Sequence, residues 1–404
     1  MYLMGLPFPT IEALVAQLTS LAETSPHLDR AALVMKLKKA APQADAQSLA
    51  LALDTYIARR DATEKLGPWS TQGFFSLPLV EQASRTEIAT YRASYFAGVS
   101  HVLEIGTGTG SDTAALARIC SHVTTIEIDP VRAELARRNI SVQGIENVTF
   151  LTGDIASLSE AVDVSTFDGF FADPARRTTD GQRVKDAELY SPPLSELLTL
   201  TQARVRAIKV SPGLFFDAPK HGWSRQFVGY GSECLEQTLW YGAPVIDSSV
   251  YRVDTRSGWS SQAAHITPSP APTVLSGFVC EAHACVNRSQ HLATFFQERG
   301  IAQIAPDVAY GISPIQPAQD PLLVCFEIID AFPFSPHKLR EVVTSLGWTN
   351  RTEIKKRNIQ IDPEEVRSLL KLQPHYHDAP FGTILLFTRH DTQWAIVARR
   401  RTGD

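Results

Sequence analysis

Cysteine is scarce, with five in 404 residues (Cys120, Cys234, Cys280, Cys285 and Cys325), odd in number and scattered. That excludes a small secreted domain stapled by disulfides and points to a reducing compartment. No stretch approaches the roughly 18 apolar residues that a membrane-spanning helix needs. The opening MYLMGLPFPT lacks the charged start and long apolar run of a secretory signal, so a cytoplasmic protein is expected. A chain-wide basic field is missing too: 38 Lys and Arg stand against 43 Asp and Glu, a net charge of −5. Nonspecific wrapping by nucleic acid is thereby excluded, and any such contact must be local. Internal repeats and low-complexity tracts are also lacking, which removes solenoid architectures.

What the chain has is apolar bulk, 44% hydrophobic residues, enough for several cores in two to four domains. Residues 11–66 carry helical periodicity through Leu14, Leu18, Leu21, Leu33, Leu37, Leu51 and Leu53. After a Gly67-Pro68 break, Val80 to Phe96 is expected as one long helix. A strict alternation of apolar runs and amphipathic segments follows, at 101–106, 111–120, 123–128, 130–143, 147–151, 155–162, 167–172, 187–200 and 204–210. This is a βαβαβαβαβ order, which predicts an α/β fold with a doubly wound parallel sheet. Phe227–Tyr230 and Leu235–Tyr241 then follow at hairpin spacing.

The Pro/Ser stretch 266–273 is expected as a linker, followed by α+β modules with a helix near Gln290–Arg299, a strand over Leu322–Ile329, helices at Ser335–Leu346 and Pro363–Leu370, and β segments at 382–389 and 393–399. The domain expectation is 1–75 helical, 76–265 catalytic, and small modules at 276–330 and 331–404. Cys280-Glu-Ala-His283-Ala-Cys285 fits no common zinc spacing and is expected as buried thiols. The His375-Tyr-His377-Asp378 segment between Pro374 and Pro380 is expected as an exposed loop, and no metal site is predicted.

The chemistry concentrates where the first strand turns into its helix, at Val102-Leu-Glu104-Ile-Gly106-Thr107-Gly108-Thr-Gly110. Glycines there let the backbone turn sharply and approach a nucleotide. A carboxylate at Glu104 disfavours the diphosphate of a dinucleotide and suits a cofactor carrying an ammonium and a sulfonium, S-adenosyl-L-methionine. Glu127 ends the second strand, 21 residues after Gly106, where an acid can take both ribose hydroxyls, with Ile128 beside it. Asp154 and Ile155 follow the third strand, offering a carboxylate to an adenine amino group and an apolar side chain to its ring. Each acid by itself has the alternative of a helix cap or solvated loop end. Three in a row at strand carboxyl ends match where open α/β sheets bind ligands.

Glu104 to Gly110 fits the E/D-x-G-x-G-x-G motif in full, and residues 80–245 resemble the class I S-adenosylmethionine-dependent methyltransferases. More narrowly, Glu81-Gln-Ala-Ser84, Asp173-Pro-Ala-Arg176-Arg177, Lys209-Val-Ser-Pro-Gly213 and Glu353-Ile-Lys355-Lys356-Arg357 resemble bacterial proteins assigned as RNA methyltransferases with a C-terminal THUMP-like domain. The resemblance implies a seven-stranded catalytic sheet, ferredoxin-like and THUMP-like C-terminal modules, and tRNA or rRNA as partner. No obligate protein partner is implied.

In amino-methylating relatives the fourth strand ends Asp or Asn, Pro, Pro, aromatic. Here Asp173 and Pro174 fit, while Ala175 and Arg176 replace the second proline and the aromatic. Asp173 is expected to orient the acceptor and to border the cofactor, with Thr107 in the cofactor loop, and Arg176 and Arg177 are expected to neutralise RNA phosphate. An alternative has the two arginines pairing with Asp180 or Asp186. Lys209, with Asp173 and Glu233, suggests ribose 2′-hydroxyl methylation as a second option, although the lysine expected before the glycine loop is not evident. Phe215 and Phe216 either stack a flipped base or fill core. A cysteine-adduct mechanism is disfavoured, since no cysteine lies in the loops after the fourth or fifth strand. Residues 331–404 hold twelve basic and eight acidic residues, a net +4 against −9 for the rest, which favours RNA contact there through Lys355, Lys356 and Arg357. A small-molecule methyltransferase and a catalytically silent RNA-binding protein are the rival expectations.

Overall fold

The computed structural model describes residues 8–400 apart from 26, 28, 159–161, 177–183, 262–271, 307 and 377. The expected linker therefore lies mostly outside the described residues, as do Arg177, Asp180 and His377. The chain forms two compact units, residues 1–223 with 238–245, and residues 224–237 with 246–404. Boundaries expected at 75/76, 265 and 330/331 do not fall there.

The first unit opens with α1 (Phe8–Thr24), α2 (Arg30–Ala40), α3 (Ala46–Asp61) and α4 (Thr63–Leu66). Asp29 and Asp45 cap α2 and α3, each accepting a backbone N–H at 2.8 Å. The apolar stripe Ile11, Leu14, Val15 and Leu18 packs on Leu33, Leu37, Leu49, Leu53 and Leu79, and on Leu135 from the catalytic part, so these helices share its core. Where one long helix was expected over Val80–Phe96, the structure has α5 (Leu77–Gln82) and α6 (Thr86–Ala93) with Ala83–Arg85 between them. Ala83 is extended there (φ −59°, ψ 146°), and the break lets the Ser84 hydroxyl take polar partners from α6, the glycine-loop helix and the fifth strand.

Next come β1 (His101–Ile105), α7 (Ser111–Ala117), β2 (His122–Glu127), α8 (Pro130–Val142), β3 (Val148–Thr152), β4 (Gly169–Ala172), α9 (Leu194–Thr199) and β5 (Val205–Val210). The pairs β1–β2, β1–β4, β2–β3 and β4–β5 are all parallel. Strands β4 and β5 are buried along their whole length, as apolar runs covered on both faces should be. Two segments expected to be helical are shorter. Residues 154–158 form a turn, and 187–200 hold a single 3-10 turn and then α9, because Pro192-Pro193 stops continuous helix. In this unit the order is β3-β2-β1-β4-β5 and then β7 (Glu233–Tyr241), whose residues 238–241 belong here.

The second unit takes β6 (Ser224–Tyr230), the start of β7, β8 (Ser249–Arg252) and β9 (Ser257–Trp259). Here β6 and β7 are neighbours, β6 pairs on its other side with β8 in parallel and β8 with β9 antiparallel, so the strands do not stop at the seven expected. Its larger sheet is built from β10 (Phe278–Ala282), β11 (Ala302–Ala305), β12 (Val308–Ser313), β13 (Leu323–Pro333), β14 (Glu353–Arg357), β15 (Thr383–Arg389) and β16 (Thr392–Arg400) in the order β11-β12-β10-β13-β16-β15-β14. Helices α10 (Ala284–Ser289), α11 (Leu292–Gln297), α12 (Pro336–Ser345) and α13 (Pro363–Leu370) join them. Because β13 runs through residue 330 and pairs with β10 on one side and β16 on the other, the segments 276–330 and 331–404 share one sheet.

Alternation along β15 assigns two cores. Ile384 and Leu386 pack with α12 and α13 through Leu339, Val343, Val366 and Leu370, while Leu385 and Phe387 join Val279, Tyr310 and Phe326 on the other face. The sheet curls strongly, since β14 at one end reaches Glu281 of β10, and the Tyr310 and Phe387 rings of β12 and β15 lie 6.2 Å apart. Among the described residues no helix is long and apolar enough to cross a membrane.

Candidate active site

Parallel strands β1, β2 and β4 deliver the site to their carboxyl ends, where the order reverses between β1 and β4. The glycine loop closes tightly on the β4 loop. Gly106 sits at φ +89°, its N–H donates to Ile126 O at 2.9 Å, and a Cβ added to it would lie 2.4 Å from the Asp173 carbonyl oxygen. No residue with a side chain fits there. At Gly108 (φ +57°) a Cβ would meet nothing within 4 Å, so the loop is a cradle open to a ligand. Gly110, also left-handed, is the N-cap of α7.

Glu104 is wholly buried on β1. Burial pushes its carboxyl up to about 8, against the opposing help of the Thr113 and Thr125 hydroxyls. Thr113 Oγ1 donates to Oε2 at 2.6 Å, and Oε1 has no partner. The expectation of a standing anion that repels diphosphates is therefore modified. At pH 7 the carboxyl holds its proton, and it becomes an anion only when a positive group comes near enough to repay desolvation. Thr107 is not presented outward either, its hydroxyl lying 2.6 Å from that of Thr125.

Glu127, at the end of β2, accepts from Gly108 N at 3.1 Å and Asp129 N at 3.2 Å, which fixes its carboxylate beside the glycine loop. Ile128 next to it is 59% exposed, as a surface meant for a flat ring would be. Asp154 is exposed and accepts from Ala156 N at 3.0 Å, so it caps its own turn with one oxygen. Ile155 is buried in the sheet core with Leu103, Ile105 and Ile126, which places it away from a ligand ring.

Beyond β4 the backbone of Asp173 is held by its N–H donating to Ile105 O at 2.9 Å, and the loop is pinned where Ala175 bridges Ser191. Lys209, buried on β5, donates from Nζ to Asp173 Oδ2 at 2.5 Å and to Ser84 Oγ at 2.9 Å. Its third neighbour is Asp112 Oδ2, at 3.7 Å. Asp112, from the first turn of α7, pairs with Arg92 of α6 and accepts from Ser84 Oγ at 2.8 Å. Burial works against ionising Asp112, yet the charges of Arg92 and Lys209 and the serine hydrogen bond hold it below the usual carboxylate range. Lys65 lies close by, donating to Val80 O and Glu81 O at 2.8 Å; burial first, then the charges of Lys209 and Arg85, push its ammonium down to about 8.

The structure thus brings Glu104, Gly106, Gly108, Glu127, Asp173 and Lys209 to one end of the sheet. It adds Ser84, Arg92, Asp112 and Lys65, which periodicity hid because Ser84 and Arg92 lie within a segment that looks like ordinary amphipathic helix. Only the cluster Glu81-Gln-Ala-Ser84 signalled them. Phe215 is 74% exposed, while Phe216 stacks on His221 at 5.2 Å. Asp186, offered as a partner for Arg176, instead caps its own turn by accepting from Glu188 N at 3.0 Å.

The basic run expected to face RNA is largely engaged. Lys355 Nζ and Arg357 Nη2 reach the two oxygens of the buried Glu281 at 2.5 and 2.6 Å, and Lys356 donates to Ile361 O at 3.2 Å. Cys280 and Cys285 are buried as expected, with Cys280 Sγ 3.1 Å from Cys325 Sγ. Among the described residues no cluster has the makings of a metal site.

The donor set fits S-adenosylmethionine: an open glycine cradle, a carboxylate at the ribose position, an exposed apolar side chain beside it, and a buried carboxyl oxygen lacking a partner. Residues 102–182 match the model of the methyltransferase domain family, and residues 323–400 that of the THUMP domain-like family. An uncharacterised S-adenosylmethionine-dependent methyltransferase of Mycobacterium tuberculosis is 27% identical over 331 residues, which is 80% of this chain and 88% of the relative. A protein-L-isoaspartate O-methyltransferase of Myxococcus xanthus is 49% identical over 57 residues, 14% of this chain and 27% of that protein. Among solved structures, a Porphyromonas gingivalis W83 protein assigned as a methyltransferase aligns over 97% of this chain and 99% of that one with a TM-score of 0.70 at 18% identity, a likeness of fold alone.

Fold, site and relatives together define an S-adenosylmethionine-dependent methyltransferase. Within that class, this chain joins its methyltransferase domain to a C-terminal THUMP-like domain.

Proposed function

We propose that this methyltransferase acts on structured RNA, tRNA or rRNA, and methylates a base nitrogen. The observation that carries the reading is the clamped carboxylate of Asp173. Lys209 holds Oδ2, which leaves Oδ1 to accept an N–H from the acceptor beside the glycine loop. The THUMP-like domain supports RNA as the substrate class. Bound S-adenosylmethionine supplies a methyl group already activated on a sulfonium, so positioning is the main task left to the protein. Glu127 would take the ribose, Ile128 the adenine face and Glu104 the positive end of the cofactor, with Asp154 at the adenine amino group. Asp173 orients the acceptor and takes its proton as the bond forms, Lys209 keeps that carboxylate in place, and Arg176 and Phe215 line the approach for phosphate and base.

Ribose 2′-hydroxyl methylation is the second reading. It is favoured by Lys65, a half-buried lysine ahead of the glycine loop whose ammonium is held by Val80 O and Glu81 O beside the Ser84 segment. Nucleoside mass spectrometry of RNA from cells with and without the gene decides between the two. Loss of one base-methylated nucleoside supports the first, loss of a 2′-O-methyl nucleoside the second, and no loss in any RNA fraction refutes both in favour of a small-molecule acceptor. In the purified protein, Asp173→Ala should keep cofactor affinity and lose turnover on RNA by about 100-fold or more; full turnover would remove Asp173 from the reaction.

A further inference from the structure

The THUMP-like region presents a second cluster of aromatic and cationic side chains, unrelated to the methyl-transfer site. Two loops are locked together beyond α12 and α13. Thr349 bridges Gln373, Asn350 N donates to Gln373 O at 2.9 Å, His375 N donates to Asn350 Oδ1 at 2.9 Å, and Thr349 N donates to Pro380 O at 3.2 Å. From α13, Arg367 reinforces the first loop by donating to Asn350 O at 2.8 Å and Thr352 O at 3.0 Å. On this rigid base the Arg351 guanidinium lies 4.5 Å over the Phe381 ring, and His375 meets the same ring edge-on at 6.0 Å.

Arg351 Nη1 lies 3.3 Å from His375 Nε2, and His375 Nδ1 lies 3.0 Å from Thr349 Oγ1. An arginine only donates, so His375 Nε2 is the acceptor toward Arg351, and Nδ1 faces the Thr349 hydroxyl. Phe381 is 43% and Tyr376 64% exposed. Among the described residues no carboxylate pairs with Arg351, in contrast to Lys355 and Arg357, which Glu281 neutralises. Lys371, exposed at the end of α13, adds a second cation.

An exposed guanidinium plane backed by an aromatic ring, in a loop pair that also carries an exposed tyrosine, is a stacking surface for a flat π-system with negative charge nearby. We propose that Arg351, Tyr376 and Phe381 form a stacking platform for an unpaired RNA nucleotide, with Arg351 and Lys371 meeting its phosphates and the Asn350 amide nitrogen available to a base edge. This rests on the reading of RNA as substrate, and it moves the RNA contact of this domain from the Glu281-bound cations to the loops at the end of α13.

The test is fluorescence anisotropy of the full chain with a labelled oligouridylate, with an abasic strand of equal length, and with the Arg351→Ala and Tyr376→Ala variants. Both substitutions lie at exposed positions, and unchanged melting temperature and S-adenosylmethionine affinity will show that the fold is intact. The expected result is oligouridylate binding by the wild type, several-fold weaker binding of the abasic strand, and about a tenfold loss in each variant. The salt dependence should become shallower by about one ion for Arg351→Ala and stay unchanged for Tyr376→Ala. Variants that bind like the wild type, an abasic strand bound equally well, or a wild type that does not bind would each overturn the platform. The two proposals fail separately. RNA methylated normally by both variants, with binding unaltered, sinks the platform and leaves the function. Stacking lost in the variants, with no methylated nucleoside missing from gene-deleted cells, sinks the function and leaves the platform.

Discussion

Glu104 shows how burial can invert the role a residue type suggests. As a motif acid it looks like a fixed negative charge, yet inside β1 it holds a proton up to about pH 8. An acid whose folded pKa is raised binds more protons in the folded than in the unfolded state between its two pKa values. Its contribution therefore erodes the fold as pH rises from about 4.5 to about 8. Glu104→Gln should flatten that slope, so the variant gains on the wild type in thermal melts at pH 8 to 9. Binding a cation near Oε1 should ionise the carboxyl. Calorimetry of S-adenosylmethionine at pH 7 in buffers of different ionisation enthalpy should show proton release from the wild type and none from Glu104→Gln; equal release in both would mean that Glu104 does not sense the cofactor. Gly106 makes a sterner prediction. A Cβ 2.4 Å from the Asp173 carbonyl must move one of the two loops, so Gly106→Ala should lose cofactor binding even if the protein still folds.

At the scale of elements, the break between α5 and α6 matters more than either helix. Periodicity predicted one continuous helix because Val80, Ile88 and Phe96 share its spacing. The interruption places Ser84 among Asp112, Arg92 and Lys209, an arrangement no local pattern encodes because its partners lie 8 to 125 residues away. Lys209→Met should leave Asp112 and Asp173 short of a cation and destabilise the first unit by about 3 kcal/mol, read from denaturant melts. If Lys209 also positions Asp173, turnover should fall while cofactor affinity holds. In the second unit, Glu281 of β10 has the same standing, holding the Lys355 and Arg357 side chains of β14. Glu281→Gln should lower the stability of that unit by a similar ~3 kcal/mol while leaving oligouridylate binding in place. A marked gain or loss of RNA affinity would instead return those cations to the interface.

For the whole molecule, the sharing of one sheet by segments on either side of residue 330 governs what can be removed. A chain cut there loses β14, β15, β16 and the last residues of β13, and with Leu385 and Ile396 gone it uncovers Val279, Tyr310 and Phe326 of the same core. Hydrogen exchange should then show the second unit unprotected throughout, so point variants such as Arg351→Ala test RNA contact where truncation cannot.

The order of the strands from His101 to Val210, the two helices that follow β1 and β2, the glycine loop and the strand-end position of Glu127 were legible in the sequence because each depends on neighbours a few residues away. Alternating runs, turn glycines and capping acids act over one turn or one strand. The helix break at Ser84, the buried and protonated Glu104, the clamp of Lys209 on Asp173 and the capture of Lys355 and Arg357 by Glu281 were decided only by tertiary structure. Desolvation and ion pairing depend on what surrounds a group in space, and a linear chain does not state which distant charge will be its neighbour.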